Sequence, residues 1–315
     1  MLDMSVAVAG LLVGSVVGLT GMGGGALMTP VLVLLFGIDP LTAVSSDIVA
    51  SMVMKPVGGA VHWKRGTVHR RLVLWLMLGS IPSAFLGVLL LRSLGDGVAL
   101  QGLVKHALGV ALLVVVSGLL LRPLLQRKHD QVAAESVLAV RPLPTLLIGI
   151  VGGLVVGVTS VGSGSLMIIM LLLLYPRIRL SELVGTDLVQ AIPLVSSAAL
   201  GHVLFGDFKL ALTGSILVGS IPGVFIGALL SSRAQDHIIR PALVVVLLAS
   251  GLKLLGLPTS LVSAVGATAA LAGAFYAYSA HRARAQNAAL PTGHATPASA
   301  PALASVRKDI ARPGA

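Results

Sequence analysis

Residues 16–87 and 155–227 are the same segment written twice. The first copy begins Val16-Val17-Gly18-Leu19-Thr20-Gly21-Met22-Gly23-Gly24-Gly25-Ala26-Leu27-Met28. The second begins Val155-Val156-Gly157-Val158-Thr159-Ser160-Val161-Gly162-Ser163-Gly164-Ser165-Leu166-Met167. Gly79-Ser80-Ile81-Pro82 returns as Gly219-Ser220-Ile221-Pro222, and Asp47, His62 and Gly66 match Asp187, His202 and Gly206. Any fold for this chain must place two like units, each interrupted early by a run of small residues.

Hydropathy fixes the medium. Of the 315 residues 56% are hydrophobic and 10% charged, and the mean hydropathy is +1.00. Apolar stretches at 43–62, 72–91, 102–121, 182–204, 210–230, 238–256 and 260–280 approach or exceed the length that crosses about 30 Å of hydrocarbon. The expected fold is an all-α polytopic membrane protein. Its first repeat occupies 1–121 and its second 143–256, with a basic cytoplasmic linker at 122–142 between them. An extra C-terminal helix at 257–281 and a disordered cytoplasmic tail at 282–315, rich in Ala, Pro and Thr, complete the chain. The stretch 4–19 lacks the basic start of a signal peptide and its repeat partner is internal, so it is expected to remain in the mature fold. The net charge of +11 does not call for nucleic acid: the cations lie between apolar spans and in the tail, as in loops facing anionic lipid. The expected partners are the bilayer and a small anionic substrate, and the oligomeric state is open. Cysteine is absent, which excludes disulfides, iron–sulfur clusters and thiolate zinc sites.

The segments around the glycines are too short for ordinary spans. Residues 5–19 and 23–37 are each only about 22 Å long as helix, and 144–158 and 163–175 have the same character. Each pair reads as a broken helix or hairpin whose tip lies within the membrane, buried in protein or lining a cavity. Three full spans complete each repeat. If each pair returns to the side it started from, one side receives Lys64, Arg65, Arg70, Arg71, the linker cations, Arg177, Arg179, Arg233, Arg240 and the tail, 17 in all. The other side receives only Arg92, Lys105 and Lys209, which is 3. If each pair crosses once, the split is 9 against 11, with no bias. The first arrangement obeys the positive-inside rule. It makes the two repeats inverted, with the N-terminus outside and the tail cytoplasmic.

Glycine-broken apolar segments at matching places in two halves of a membrane chain point to a transporter site at the repeat interface. At Thr20, Gly21, Gly23, Gly24 and Gly25, and at Thr159, Ser160, Gly162, Ser163, Gly164 and Ser165, the break frees backbone N–H groups and points the positive ends of the following half-helices at the tip. Such ends hold anions. The competing reading is close helix packing, which Gly14/Gly18 and Gly153/Gly157 also fit. Asp47 and Asp187, inside predicted spans, are candidates to carry a coupling proton or hold a cation, or else are helix-start residues or buried hydrogen-bond partners near the interface. His62 and His202 are candidate proton relays or polar span ends. Lys55, with Val195 opposite it in the second copy, could contact an anionic substrate, pair with Asp47 or snorkel, and Gln190 is a candidate polar contact. There is no zinc spacing, nucleotide loop or nucleophile elbow. No enzyme activity, cofactor or metal is expected.

Gly21-Met22-Gly23-Gly24-Gly25 with Pro30, then Ser45-Ser46 and His62-Trp63-Lys64-Arg65-Gly66, resemble the sulfite exporter TauE/SafE family, also called the toluene sulfonate uptake permease family. The resemblance covers about residues 5–280. It implies a multi-pass permease of the bacterial inner membrane for sulfite, sulfonates or related organic acids. The second tip departs from the plain glycine run, with Ser163 and Ser165 interleaved and Ile169 in place of Pro30. The expected function is secondary transport of a small anion. The alternatives are an uncoupled, channel-like anion pathway and a membrane scaffold or sensor subunit, which would not need paired broken helices with polar tips.

Overall fold

The computed structural model describes residues 3–20, 24–64, 68–95, 97–130, 140–176, 178, 180–230 and 236–289, without the side chains of 57–64, 122–130, 180–181, 236–238, 240 and 275–289. Gly21, Gly23, Gly66, the side chain of His62, most of the linker and the end of the tail thus lie outside the described residues. The chain divides into two compact units, Met1–Ala274 and Phe275–Ala315; of the second, only helix as far as Ala289 is described.

All regular structure among the described residues is helical. The order is α1 (Met4–Thr20), α2 (Gly25–Leu34), α3 (Pro40–Lys64), α4 (Arg70–Ser93) and α5 (Val98–Asp130). Then come α6 (Pro142–Thr159), α7 (Leu166–Leu174), α8 (Leu180–Phe205), α9 (Leu210–Leu230), α10 (Asp236–Leu254) and α11 (Thr259–Ala289). Among the described residues five helices are long and apolar enough to cross a membrane, within α4, α5, α6, α8 and α9. The small-residue runs interrupt helix where expected, between α1 and α2 and between α6 and α7.

The faces of the helices suit hydrocarbon rather than water. On α4, Leu74, Leu78, Leu86 and Leu90 are exposed and recur at four-residue spacing along one face. Leu72, Leu76, Gly79, Ser80, Ser83 and Gly87 point inward. Lipid tails are as apolar as leucine, so such helices associate through close van der Waals contact, which small residues permit.

The two copies use that contact reciprocally. Gly10, Gly14 and Gly18 of α1 lie against the backbone of Ile216, Ser220 and Val224 on α9. Gly149, Gly153 and Gly157 of α6 lie in the same way against Leu76, Ser80 and Ala84 on α4. A Cβ at Gly14 would stand 2.6 Å from the Ser220 carbonyl oxygen, and one at Gly149 would stand 2.5 Å from that of Leu76. Both are closer than any side chain tolerates. The first helix of each copy is therefore seated on the Gly-Ser-Ile-Pro helix of the other. Between them, the His69 N–H donates to Thr186 Oγ1 (3.0 Å) and the Lys209 N–H to Ser46 Oγ (3.5 Å). Ser45 and Ser46, near the start of α3, meet His202 at the end of α8 and Lys209 beyond it, while His69, beyond the end of α3, meets Thr186 near the start of α8, so these two equivalent helices run antiparallel.

The seating generates a stability prediction. Gly153→Val, whose side chain would drive into Ser80 and Ser83, should cost about 1–3 kcal/mol or more through overpacking. Gly102→Ala, where a Cβ meets nothing within 4 Å, should leave stability unchanged. Thermal melting of the two variants in detergent checks this, and equal melting would contradict the backbone contact.

Candidate functional site

The two tips touch. A Cβ on Gly25, the first residue of α2, would stand 2.6 Å from Ser160 Oγ and collide with the Ser160 backbone. Ser160 ends α6 with φ 61, the sole non-glycine positive φ among the described residues. Gly162 and Gly164 follow at φ 122 and 103. The second tip is thus folded from left-handed residues, a conformation that costs a serine roughly 1–3 kcal/mol unless its surroundings hold it. Two bonds do so: the Ser160 N–H donates to Val156 O (2.8 Å) and its Oγ to Asp47 Oδ2 (2.7 Å). The half-helices α2 and α7 start at Gly24 and Ser165 with no side-chain cap, so their first N–H groups meet the tips uncapped by side chains.

Three charged side chains converge on residues 160–165. Asp47 of α3 is fully buried; its Oδ2 also accepts from Thr29 Oγ1 (2.9 Å), while its Oδ1 has no partner among the described residues. Asp187 of α8 is equally buried. Its Oδ1 accepts from Gln190 Nε2 (3.1 Å), the Gly164 N–H faces the carboxylate, and Oδ2 is unpartnered. Gln190 is fixed in turn by Ser80, whose Oγ donates to Oε1 at 3.3 Å, and by a contact of Nε2 with the Met167 sulfur at 3.6 Å. Lys55 of α3, half-buried, donates from Nζ to Ser163 Oγ and lies within electrostatic reach of both carboxylates. At the positions equivalent to Lys55, Gln190 and Thr29 the other copy has Val195, Ala50 and Ile168. The cluster is one of a kind within a twofold frame.

The remaining sequence candidates take other places. Thr20 Oγ1 donates to Val16 O (2.8 Å) and Thr159 Oγ1 to Val155 O (2.6 Å), back onto their own helices. Gly24 and Ser165 are buried at the helix starts. His202 is fully buried, with Nε2 2.7 Å from Gly157 O and Nδ1 2.8 Å from Ser45 Oγ. A carbonyl only accepts, so Nε2 carries a proton and donates to Gly157 O, and with Ser45 the ring braces α8 against α6 and α3. Thr29, Ser80 and Met167 join the site without having been singled out from sequence. Thr29 is a hydroxyl alone in an apolar run, and Ser80 lies in the repeated Gly-Ser-Ile-Pro, which were the available signals. No group of three or more metal-ligating side chains occurs among the described residues.

The family model described as "Sulfite exporter TauE/SafE" matches residues 6–254, which takes in both copies and both tips. The chain belongs to this family. Among curated relatives, "Probable membrane transporter protein YjnA" of Bacillus subtilis (strain 168) is 40% identical over 256 residues, covering 81% of this chain and 100% of the relative. "Probable membrane transporter protein YdhB" of the same organism is 25% identical over 245 residues, 78% of this chain and 96% of the relative. No solved structure matches the chain. This TauE/SafE member is a multi-pass membrane transporter, and Asp47, Asp187 and Lys55 lie where α2 and the end of α6 meet.

The Ser160–Asp47 bond links tip to helix and can be tested directly. Ser160→Gly keeps the left-handed backbone at no steric cost but removes a donor from a buried carboxyl group. Leaving that group short of a partner should cost about 1–3 kcal/mol. The expected readout is a lowered melting temperature for Ser160→Gly and for Thr29→Val. A melting temperature unchanged in both would mean the bonds contribute nothing.

Proposed function

We propose that this chain is a secondary transporter of a small anion such as sulfite, a sulfonate or a related organic acid, bound where Lys55 meets the second tip. The observation that carries the reading is the Lys55 ammonium on Ser163, beside half-helix starts that no side chain caps. An ammonium and oriented N–H groups in a low-dielectric site favour an anion, and tips buried in protein can supply them at membrane depth. The name of the family supports a sulfur oxyanion; the relatives' names support transport without a substrate. Asp47 and Asp187 are the proposed coupling groups, since each is buried and keeps one carboxyl oxygen unpartnered among the described residues.

We also read the copies as inverted repeats, with the N-terminus outside and the C-terminus in the cytoplasm. The antiparallel course of α3 and α8 and the loop charge asymmetry support this. A single cysteine placed near Gly206 should then react with a membrane-impermeant reagent from outside only, and reaction from the cytoplasmic side would reverse the orientation.

Binding is tested by thermal shift of purified protein against sulfite, thiosulfate, sulfonates and short carboxylates. A true ligand at a hundredfold excess over its Kd stabilises by about 2.7 kcal/mol. Lys55→Met should abolish that shift, and stabilisation by no anion would overturn the anion reading. In vesicles, Asp47→Asn or Asp187→Asn should abolish accumulation driven by a proton gradient while exchange at equal concentrations survives. If both variants still concentrate substrate in response to a pH gradient, the carboxyl groups are structural and the uncoupled pathway is the better reading.

A further inference from the structure

The two ends of the bundle are built from repeat-related residues, yet they differ. At one end a cleft of 460 Å³ is lined by Val6, Phe36, Ile38, Thr42, Lys209 and Leu212, with Asp3 before α1, Gly37 and Asp39 between α2 and α3, and further residues of α9. Thr42 precedes Asp47 by five residues, about 7 Å along α3. The floor of the cleft is therefore little more than one helical turn from the charged cluster.

At the other end the counterparts of Phe36, Ile38 and Leu212 are packed away, whereas Val6 and its counterpart are both buried, and Glu182 and His69, which stand at the positions of Thr42 and Lys209, are half-buried. Val6 corresponds to Thr145, Phe36 to Tyr175, Ile38 to Ile178 and Leu212 to Leu72. Leu72 and Thr145 are 0% exposed, Ile178 3% and Tyr175 4%. The Tyr175 hydroxyl accepts from the Arg141 N–H (2.9 Å) and stands 2.5 Å from Thr145 Oγ1, which itself donates to Arg141 O (2.7 Å). Donors and acceptors match in sequence: Arg141 N–H to Tyr175, Tyr175 to Thr145, Thr145 to Arg141 O. The hydroxyl thus ties the end of α7 to the first turn of α6. Phe36 lacks the oxygen and Val6 the hydroxyl, so the corresponding ends of α2 and α1 cannot be tied in this way, and the cleft lies between them.

We propose that the cleft is the port through which solute reaches the charged cluster in this conformation, and that Tyr175 is the latch holding the opposite end shut. Transport requires the latch to release, with α7 leaving the first turn of α6. The proposal rests on the chain being a transporter but on neither the anion nor the proton reading, because access is measured without substrate.

The cysteine-free chain makes the test direct. Leu212→Cys reports on the cleft and its repeat mate Leu72→Cys on the latched end, in lipid nanodiscs with both faces open to a hydrophilic maleimide. Leu212→Cys should react at least about tenfold faster, the imbalance expected when one state dominates. Adding Tyr175→Phe, the residue the first copy already uses at position 36, should accelerate Leu72→Cys about fivefold, the population shift of one net hydrogen bond, and leave Leu212→Cys equal or slower. Equal rates at the two reporters would overturn the port. No acceleration by Tyr175→Phe, or acceleration of both reporters together, would overturn the latch. Ile38→Cys and Ile178→Cys form a second reporter pair should Leu72→Cys fail to fold.

Discussion

Backbone-to-backbone contact through glycine is the constraint on which the rest of this transporter depends. Lipid supplies no hydrophobic drive between helices, so α1 and α9, and α6 and α4, are held by how closely their main chains approach. Gly10, Gly14 and Gly18, with Gly149, Gly153 and Gly157, supply the approach, and each set faces the other copy. The exchange determines where the breaks fall. Because each first helix is seated on its neighbour copy, the two tips that end these helices arrive at one place, and Gly25 rests on Ser160. Without the glycine seats, the charged side chains of α3 and α8 would have no common tip to converge on.

The tips also meet a requirement of any buried irregular backbone. Polar groups freed from a helix and buried in protein need partners. The second tip meets this with left-handed residues and with side chains from other helices: Asp47 takes the Ser160 hydroxyl, Asp187 faces the Gly164 N–H, and Lys55 takes Ser163. The tip is as much a product of α3 and α8 as of its own sequence. Its conformational strain and the burial of the Asp47 carboxyl group are mutually dependent, since the bond that holds Ser160 at φ 61 also satisfies Asp47.

The all-helical fold, the positions of the two breaks and the pairing of Asp47 with Asp187 were legible in the sequence because each is written twice, and the second copy tests the first. The site was legible only in part. Lys55 and Gln190 were found as polar residues in apolar runs, but their partners were not, because Ser163 and Ser80 are distant in sequence and only tertiary packing brings them together. Thr29 was missed since a lone hydroxyl in a helix usually bonds its own turn, as Thr20 and Thr159 do here. His202, conspicuous as a repeated histidine, is a brace between three helices, a role that depends on Gly157 and Ser45 and has no local signature.

The lone ammonium has a consequence for stoichiometry. Duplication by itself yields two equivalent ligand positions, and a molecule built that way would hold two solutes per chain. Here Lys55 corresponds to Val195, which is buried in the apolar core, so the ammonium occurs at this position in one copy only. If an anion binds there as proposed, it has one seat per chain, although the frame around it is written twice.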